Sequence, residues 1–283
     1  MKKKSTNRKN GLWTASYEEI GATLKALQDH GVTLEHLARL RAEPEYAKRV
    51  AEHIIRGGVE DSMRNKLARV RMGQNFFGIE DWIIFYGINF SQEQLCLVPE
   101  FPWEDDILMS GCPLCDDMIK NCHFAFLGLD RINSDPLTIL KLQDLHPATG
   151  QPRFASYYYD NESHYSNKKF VTETTMSSRW YLLHINILYG SGNRTFEEQE
   201  AILPAEYEVP LLIVEIAKDL FVLQKTGIYA NLSKYRRCAD IYSGCRVIAR
   251  YFDANNGLDF VDILPDFGRR NYIYIAASRK PGV

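Results

Sequence analysis

Apolar and polar positions in the first hundred residues form short amphipathic segments that end at helix-stopping residues. Ser16 and Glu19 make a capping-box pair before an apolar face of Ile20, Leu24 and Leu27. Further segments of this kind begin near Thr33, Pro44, Asp61, Ile79 and Ser91. The pattern predicts an all-helical module over residues 12–110, whose first helix buries its apolar face. Residues 1–11 are rich in lysine and are expected to form a disordered basic tail.

From His123 onward the pattern changes to short runs rich in aromatic and β-branched residues, which is typical of strands. Two helices interrupt these runs, over residues 195–203 and 209–226, each with its own capping or stop signals. Strands on both sides of two helices indicate an α+β domain over residues 111–283, with the helices flanking a twisted antiparallel sheet. Its expected core positions are Trp180, Leu182, Leu212, Ile216, Leu220, Val247, Ile273 and Ile275.

Composition and charge narrow the possible classes of function. The chain has 283 residues, of which 45% are hydrophobic and 25% charged, and its formal net charge is −2. This charge predicts no bulk attraction to nucleic acid or to an anionic membrane. No apolar run reaches the roughly 18 residues of a transmembrane helix, and the basic start lacks the apolar stretch of a secretory signal. Six irregularly spaced cysteines do not indicate a secreted disulfide framework, so we expect a cytoplasmic protein with reduced thiols and no membrane partner.

A nucleic-acid-binding role is an alternative for the helical module. Small helical modules can contain a helix-turn-helix, and Arg64, Lys66, Arg69 and Arg71 would then contact phosphates. Acidic residues are comparably frequent in the same module, so its charge balance favours a structural or partner-docking role.

The segment CPLCDDMIKNCH contains the candidate metal ligands of the chain. Cys112 and Cys115 have the C-x2-C spacing of a zinc knuckle, and Cys122 with His123 would complete four ligands. Adjacent cysteine and histidine form an awkward chelate, however, and His123 also opens the credible strand HFAFLGL. We therefore expect framework roles for these residues, no metal and no cofactor.

The C-terminal stretch NGLDFVDILPDFGRRNYIYIAASRKPGV follows neither the strand nor the helix period. It lies in a window of 45 residues, Tyr235 to Arg279, that contains no Lys, Glu, Gln, Met or Trp. These five types make up 52 of the 283 residues, so about eight would be expected in the window. They are also the amino acids that no codon ending in a pyrimidine encodes. Mutation directed at adenines of asparagine-type codons would leave this trace, because it randomises the first two bases and preserves the third.

At these residues the chain resembles the variable proteins of diversity-generating retroelements, which have a C-type-lectin fold related to formylglycine-generating enzyme. The matching phrases are RWYLLHINIL, FEEQEAILPAEYEVP, TG before Tyr229, YRRCAD, RVIARYFD, Gly257-Leu258 and AASRK. The earlier phrases NFFGIEDWIIFYG and HFAFLGL are similar to the front end of such proteins in uncultivated bacterial lineages with small genomes. The resemblance implies a lectin-like C-terminal domain after the helical module, with a variable segment over residues 235–279.

The resemblance also implies the function, which is binding rather than catalysis. In this family an error-prone reverse transcriptase rewrites the 3′ end of the gene, and the altered side chains lie on an exposed surface that engages a protein or another ligand. The residues expected on that surface are Asp259, Phe260, Asp262, Ile263, Leu264, Asp266, Phe267, Arg270, Asn271 and Tyr272, with Tyr242 and Tyr251 at its rim. An ordinary packed terminus is the alternative structure for this stretch.

An oxidase of the formylglycine-generating type is a further alternative, because those relatives use a pair of active-site cysteines on the same fold. Here Cys238 lies within YRRCAD and Cys245 follows it, while the AASRK end supplies no cysteine. A copper dithiolate site is therefore not expected.

Overall fold

The computed structural model describes residues 15–55, 61–155, 168–231, 234–253 and 257–282. The chain divides into two compact units, Met1–Gly58 and Val59–Val283. The expected tail over residues 1–11 lies outside the described residues. The division falls at Gly58, and not near residue 110 as the sequence predicts.

The first unit contains the helices α1 (Tyr17–Asp29), α2 (Leu34–Ala42) and α3 (Pro44–Ile55). The capping box of α1 forms as predicted, since Ser16 N donates to Glu19 Oε2 at 2.7 Å and Glu19 N donates to Ser16 Oγ at 3.2 Å. The predicted burial of its apolar face is wrong, because Ile20 and Leu24 are each 44% exposed and neither α1 nor α2 has a buried residue. A short helix can have an amphipathic sequence without a partner that covers it.

The second unit has a mixed α and β structure. Its helices are α4 (Met63–Met72), α5 (Ile79–Tyr86), α6 (Gln92–Cys96), α7 (Asp105–Leu108), α8 (Ile119–Cys122), α9 (Ile139–Asp144), α10 (Lys169–Thr172), α11 (Phe196–Glu200) and α12 (Leu212–Thr226). Its strands are β1 (Phe76–Phe77), β2 (His123–Leu127), β3 (Arg131–Ile132), β4 (Asp135–Pro136), β5 (Trp180–His184), β6 (Tyr207–Glu208), β7 (Tyr235–Tyr242), β8 (Cys245–Asp253), β9 (Gly257–Leu264), β10 (Ile273–Ile275) and β11 (Ser278–Arg279).

Among the residues that the structure describes, the strands form two larger sheets and one small one. The five-stranded sheet has the order β1-β2-β5-β11-β6, the four-stranded sheet has the order β10-β7-β8-β9, and β3 pairs with β4. Most neighbours are antiparallel, as expected, but β1 pairs parallel with β2 and β10 pairs parallel with β7. The last strand, β11, lies between β5 and β6, so the end of the chain completes the larger sheet.

Residues 61–110 belong to the second unit because their large aromatic side chains pack into its core. The ring of Phe77 stacks on Phe221 of α12 with centroids 4.2 Å apart, and Trp82 meets the same ring edge-on at 5.0 Å. Trp103 Nε1 donates to the carbonyl oxygen of Lys280 at 3.1 Å. The strand β1 also lies in this segment, so the segment is not all-helical.

The expected core of the C-terminal half is confirmed. Trp180, Leu182, Leu212, Ile216, Leu220, Val247, Ile273 and Ile275 are all buried. Residues on every side of α12 are buried, including the charged Glu215, Lys218 and Asp219, which form ion pairs inside the domain. The two helices are shorter than the predicted 195–203 and 209–226, and Pro210 precedes α12 instead of lying in its first turn. None of the helices among the described residues has the length and apolar character that a bilayer-spanning helix requires.

Candidate binding surface

The residues expected on the variable surface lie on strands β7, β8 and β9 of the four-stranded sheet and on the loop that follows β9. Five of them, from Asp259 to Leu264, belong to β9, and five more lie in the loop of residues 265–272 that joins β9 to β10. Tyr242 ends β7 and Tyr251 lies in β8. We call β8, β9 and the 265–272 loop together the C-terminal surface.

The backbone of β9 explains why its sequence does not alternate. The register against β8 pairs Ile248 with Asp262 but Ala249 with Phe260, so one residue of β9 is extra at this point. A second irregularity follows between Ala249 and Phe252. Each β-bulge changes the face toward which the following side chains point, so a strict period of two is lost. The side chains of Phe260, Asp262, Ile263, Leu264 and Tyr251 lie outside the described part of the structure.

The described side chains of the 265–272 loop reach solvent. Phe267 is 78% exposed and Tyr272 is 49% exposed, and Arg270 and Asn271 are exposed as well. Asp266 is half-exposed and forms an ion pair with Arg246 Nε at 3.3 Å. Within this loop the packed-terminus alternative does not hold, because these side chains are not in a core.

Residues outside the loop hold its backbone. Phe196 N donates to the carbonyl oxygen of Asp266 at 2.8 Å, and Asn193 N donates to that of Arg270 at 2.9 Å. A guanidinium N–H of Arg237 donates to the carbonyl oxygen of Gly268. These bonds use main-chain acceptors of the loop, so they do not depend on which side chains the loop has.

A network of buried polar side chains beneath the loop holds Arg237, one of the donors to the loop, in position. Arg237 Nη1 donates to Gln199 Oε1 at 2.8 Å, and Gln199 Nε2 donates to the carbonyl oxygens of Ser191 and Ile273 at 2.7 and 3.0 Å. Ser191 Oγ in turn accepts from Ile275 N at 3.2 Å. Burial lowers the pKa of Arg237, and the nearby carboxylate of Asp266 opposes that shift. Sequence reasoning missed Asn193 as an anchor of the loop, and Ser191 and Gln199 as the residues that hold Arg237 and β10 beneath it.

Two glycines are required where the chain passes close to the C-terminal surface. A Cβ on Gly192 would lie 2.9 Å from the carbonyl oxygen of Asn271. Gly257 has φ +94°, and a Cβ there would lie 2.6 Å from the carbonyl oxygen of Phe154. Its neighbour Leu258 N donates to the Arg153 carbonyl oxygen at 2.8 Å, which anchors the start of β9.

A buried ion cluster joins α12 to β7 beneath the same sheet. Arg236 Nε donates to Glu215 Oε1 at 2.8 Å, and another guanidinium N–H donates to Asp219. Lys218 Nζ donates to Glu215 Oε1 at 2.6 Å. Burial opposes the charge of Arg236, but Asp219 and Glu215 outweigh it and raise the pKa of the guanidinium. Arg236 of YRRCAD therefore has internal, structural partners.

Two residues expected on the surface are engaged with neighbours. The side chain of Asp259 is 13% exposed and pairs with Arg250 Nη1 at 2.8 Å. Tyr242 is half-buried against Phe170, and its hydroxyl accepts from Lys168 Nζ at 3.0 Å, a bond that lowers the pKa of the phenol. Both residues therefore lie at the margin of the exposed region.

The cations proposed for a nucleic-acid role are largely paired with carboxylates. Arg64 lies 2.9 Å from Glu104, and Arg71 lies 2.6 Å from Asp105. Arg69 contacts Asp61, Glu80 and Asp81 at 3.5, 3.5 and 3.2 Å. These carboxylates compete with phosphate for the guanidinium groups, so the geometry does not favour α4 as a recognition helix.

The cysteines of the oxidase alternative are poorly placed for chemistry. Cys238 is fully buried in β7, and burial raises the pKa of its thiol well above the ordinary value. Cys245 is half-buried at the start of β8. A thiol that resists deprotonation is a weak nucleophile.

Three of the four candidate metal ligands come together, and a different histidine is the fourth group beside them. Cys112, Cys115 and Cys122 converge, but the fourth group beside them is His184 and not His123. His123 lies opposite His184 in the β2–β5 pair, and its Nε2 is 3.0 Å from the hydroxyl of Tyr207. Sequence spacing could not find His184 because its position depends on strand pairing.

Compared with known proteins, the chain shows no match to a protein-family model, to a curated protein or to a solved structure. Its function must therefore be inferred from its own residues.

Proposed function

We propose that the chain is a ligand-binding protein whose C-terminal surface is diversified by a retroelement, as in the variable proteins it resembles. The observation that carries this proposal is the 265–272 loop. Its described side chains are largely exposed, while its carbonyl oxygens are bound by groups of residues 193–199 and by Arg237. Such a loop can change its side chains without losing the bonds that set its shape.

The composition of residues 235–279 supports the same proposal. The absence of Lys, Glu, Gln, Met and Trp matches adenine-directed mutation of codons that end in a pyrimidine. Asn193 and Phe196, whose N–H groups bind the loop, lie before this window, so mutation within the window leaves them unchanged. Ser191 and Gln199, which hold Arg237 and β10 beneath the loop, also lie before it, whereas Arg237 lies inside it. Main-chain donors outside the mutated segment, as at Asn193 and Phe196, are an arrangement that such a mechanism needs.

The arrangement of the framework phrases supports a lectin-type fold for residues 111–283. RWYLLH forms β5, AASRK contributes β11 beside it, and β6 of the phrase AILPAEYEVP pairs with the other edge of β11. YRRCAD and RVIARYFD are neighbouring strands, β7 and β8. These phrases thus supply neighbouring strands of the two larger sheets.

The ligand is a protein or another molecule that a solvent-exposed aromatic and charged surface can bind. Exposed Phe267, Tyr272 and Arg270 are residue types that dominate many interfaces, because they offer a large contact area or several hydrogen-bond donors. If the surface is diversified, the proteins encoded by different copies of the gene bind different ligands, so the chain has no single inherited partner.

DNA sequencing tests this proposal directly. We expect the DNA beside the gene to contain a reverse transcriptase gene and a near-identical repeat of the 3′ segment that differs mainly at adenines. Copies of the gene from one population should differ within codons 235–279, while codons 190–199 stay constant. A uniform 3′ end without a template repeat would contradict the proposal.

A further inference from the structure

We propose that Cys112, Cys115, Cys122 and His184 bind a structural zinc ion. Their three Sγ atoms and the ligating nitrogen of His184 all lie within 4.8 Å of one another. In a tetrahedral site, Zn–S bonds of about 2.3 Å and a Zn–N bond of about 2.0 Å place the ligand atoms roughly 3.5–3.8 Å apart. Small side-chain rotations therefore suffice to close the cluster around an ion.

The loop that contains the first two cysteines has the shape of a zinc knuckle. Cys112 N donates to the carbonyl oxygen of Asp117 at 2.7 Å, and Gly111 forms an antiparallel bridge with Met118. Leu114 N points at Cys112 Sγ at 3.3 Å. A backbone N–H directed at the sulfur stabilises a thiolate, which is the form that binds metal.

The tautomer of His184 suits a metal ligand. Its Nδ1 lies 2.8 Å from the carbonyl oxygen of Asn186 and donates a hydrogen bond to it. The lone pair is then on Nε2, which lies 3.4 Å from Cys115 Sγ. Histidines that bind metals commonly use their second nitrogen in this way, because the bond fixes the orientation of the ring.

His123 supports the site without being a ligand. The Tyr207 hydroxyl can donate to its Nε2 at 3.0 Å, which leaves the proton on Nδ1, 3.2 Å from Cys122 Sγ. This N–H points at the third sulfur as Leu114 N points at the first. The cluster therefore has hydrogen bonds to its ligands of the kind that orient and stabilise a metal-bound thiolate.

The donor set selects zinc and a structural role. Three thiolates and one imidazole are soft and borderline ligands that suit zinc and not calcium or magnesium. Four protein ligands leave no open position for substrate or water. The ion would join the loop of residues 111–122 to the end of β5, two parts of the domain that are far apart in sequence.

Metal analysis of the full-length chain tests the proposal. We expect about one zinc ion per purified chain, released when a mercurial reagent titrates the thiols, and a tetrahedral thiolate absorption spectrum after cobalt replaces zinc. Cys115→Ser and His184→Asn should weaken zinc binding by more than about 100-fold, beyond the usual 10–100-fold effect of an outer hydrogen-bond partner. The exposed thiol of Cys96 provides the control, and Cys96→Ser should retain the metal.

A comparison of the two histidines separates the ligand from its neighbour. His123→Gln should keep the stoichiometry of one zinc ion per chain and lose affinity only moderately, whereas His184→Asn should lose the ion. A wild-type chain without zinc, a disulfide among the three cysteines found by thiol titration under denaturing conditions, or equal zinc content in Cys115→Ser would each overturn the proposal. The wild-type measurements do not require any variant to fold.

Discussion

Phe267, Arg270 and Tyr272 project from a loop whose shape is fixed by other residues. We expect the triple replacement of these residues with Ala to change the unfolding free energy by no more than about 0.5 kcal/mol per site, because exposed side chains contribute little. The same variant should lose binding to any ligand selected on the wild-type surface. Thermal unfolding and a binding assay on one preparation measure both effects.

Gln199, which is buried beneath that loop, provides the contrasting variant. Gln199→Leu removes one of the two acceptors of Arg237 Nη1, which also donates to the Arg194 carbonyl oxygen, and it removes the donor to the Ser191 and Ile273 carbonyl oxygens. Each buried group left unsatisfied costs about 1–3 kcal/mol. The neighbouring exposed Glu200→Ala should be close to neutral. If the exposed triple variant destabilised the fold as much as Gln199→Leu does, the loop would be part of the core.

His146 should make stability depend on pH. Burial lowers its pKa from 6.5 to about 4, while the ring bonds the Tyr86 hydroxyl at 2.9 Å and the Leu142 carbonyl oxygen at 2.6 Å. The unfolded chain therefore binds a proton at a higher pH than the folded chain does, and stability falls as the pH drops from 6.5 toward 4. At pH 5 this difference corresponds to roughly 2 kcal/mol.

The measurement compares denaturant unfolding at pH 7.5 and pH 5. His146→Gln should be less sensitive to acid than the wild type by about that amount, because it removes the titrating group. The exposed His30 serves as the matched position, and His30→Gln should keep the wild-type sensitivity. Equal acid sensitivity of the wild type and His146→Gln would contradict the prediction.

At the scale of elements, the strand β9 and the helix α12 show opposite relations between sequence and structure. The apolar face of Leu212, Ile216, Leu220 and Leu223 and the stop at Gly227, which has φ +72°, indicate this helix from the sequence alone. The bulge in β9 interrupts the period of two, so no sequence pattern indicates a strand there. Strand pairing with β8 makes this segment a strand, and pairing depends on residues outside it.

The two arginines of β7 beneath the C-terminal surface also separate what the sequence indicates from what packing decides. Arg236 and Arg237 are adjacent in sequence and point to opposite sides of β7, as alternation in a strand requires. Arg236 meets the carboxylates of α12, and Arg237 meets Gln199 and the loop backbone. A sequence motif can identify both arginines, but only the packing of α12 and α11 on the strand shows which one anchors the loop.

At the scale of the whole molecule, the position of the domain boundary is the clearest correction. A chain that begins at Val59 should unfold cooperatively with nearly the wild-type midpoint for this unit, because it keeps the complete core. A chain that begins at Gly111 lacks Phe77, Trp82, Phe101 and Trp103, which are buried in that core. It should expose apolar surface, bind a hydrophobic dye and lose cooperative unfolding.

Calorimetry and dye binding distinguish the two truncations. A stable, cooperative chain from Gly111 would restore the boundary near residue 110 that the sequence predicts. Failure of the chain from Val59 alone would mean that the first unit contributes to the stability of the second.

The sequence by itself determined the features that depend on neighbouring residues. Capping boxes at Ser16 and Thr195, the glycine stop of α12 and the mixed α and β character follow from local hydrogen bonds and periodicity. The buried set from Trp180 to Ile275 follows from apolar patterning within those elements.

Only the tertiary structure decided which separated residues meet. Packing across the chain decided that Leu24 is exposed and that residues 61–110 belong to the second unit. It also placed Gln199 beneath the loop and His184 beside three thiols. Burial and contact are properties of two surfaces, and a linear pattern specifies only one of them.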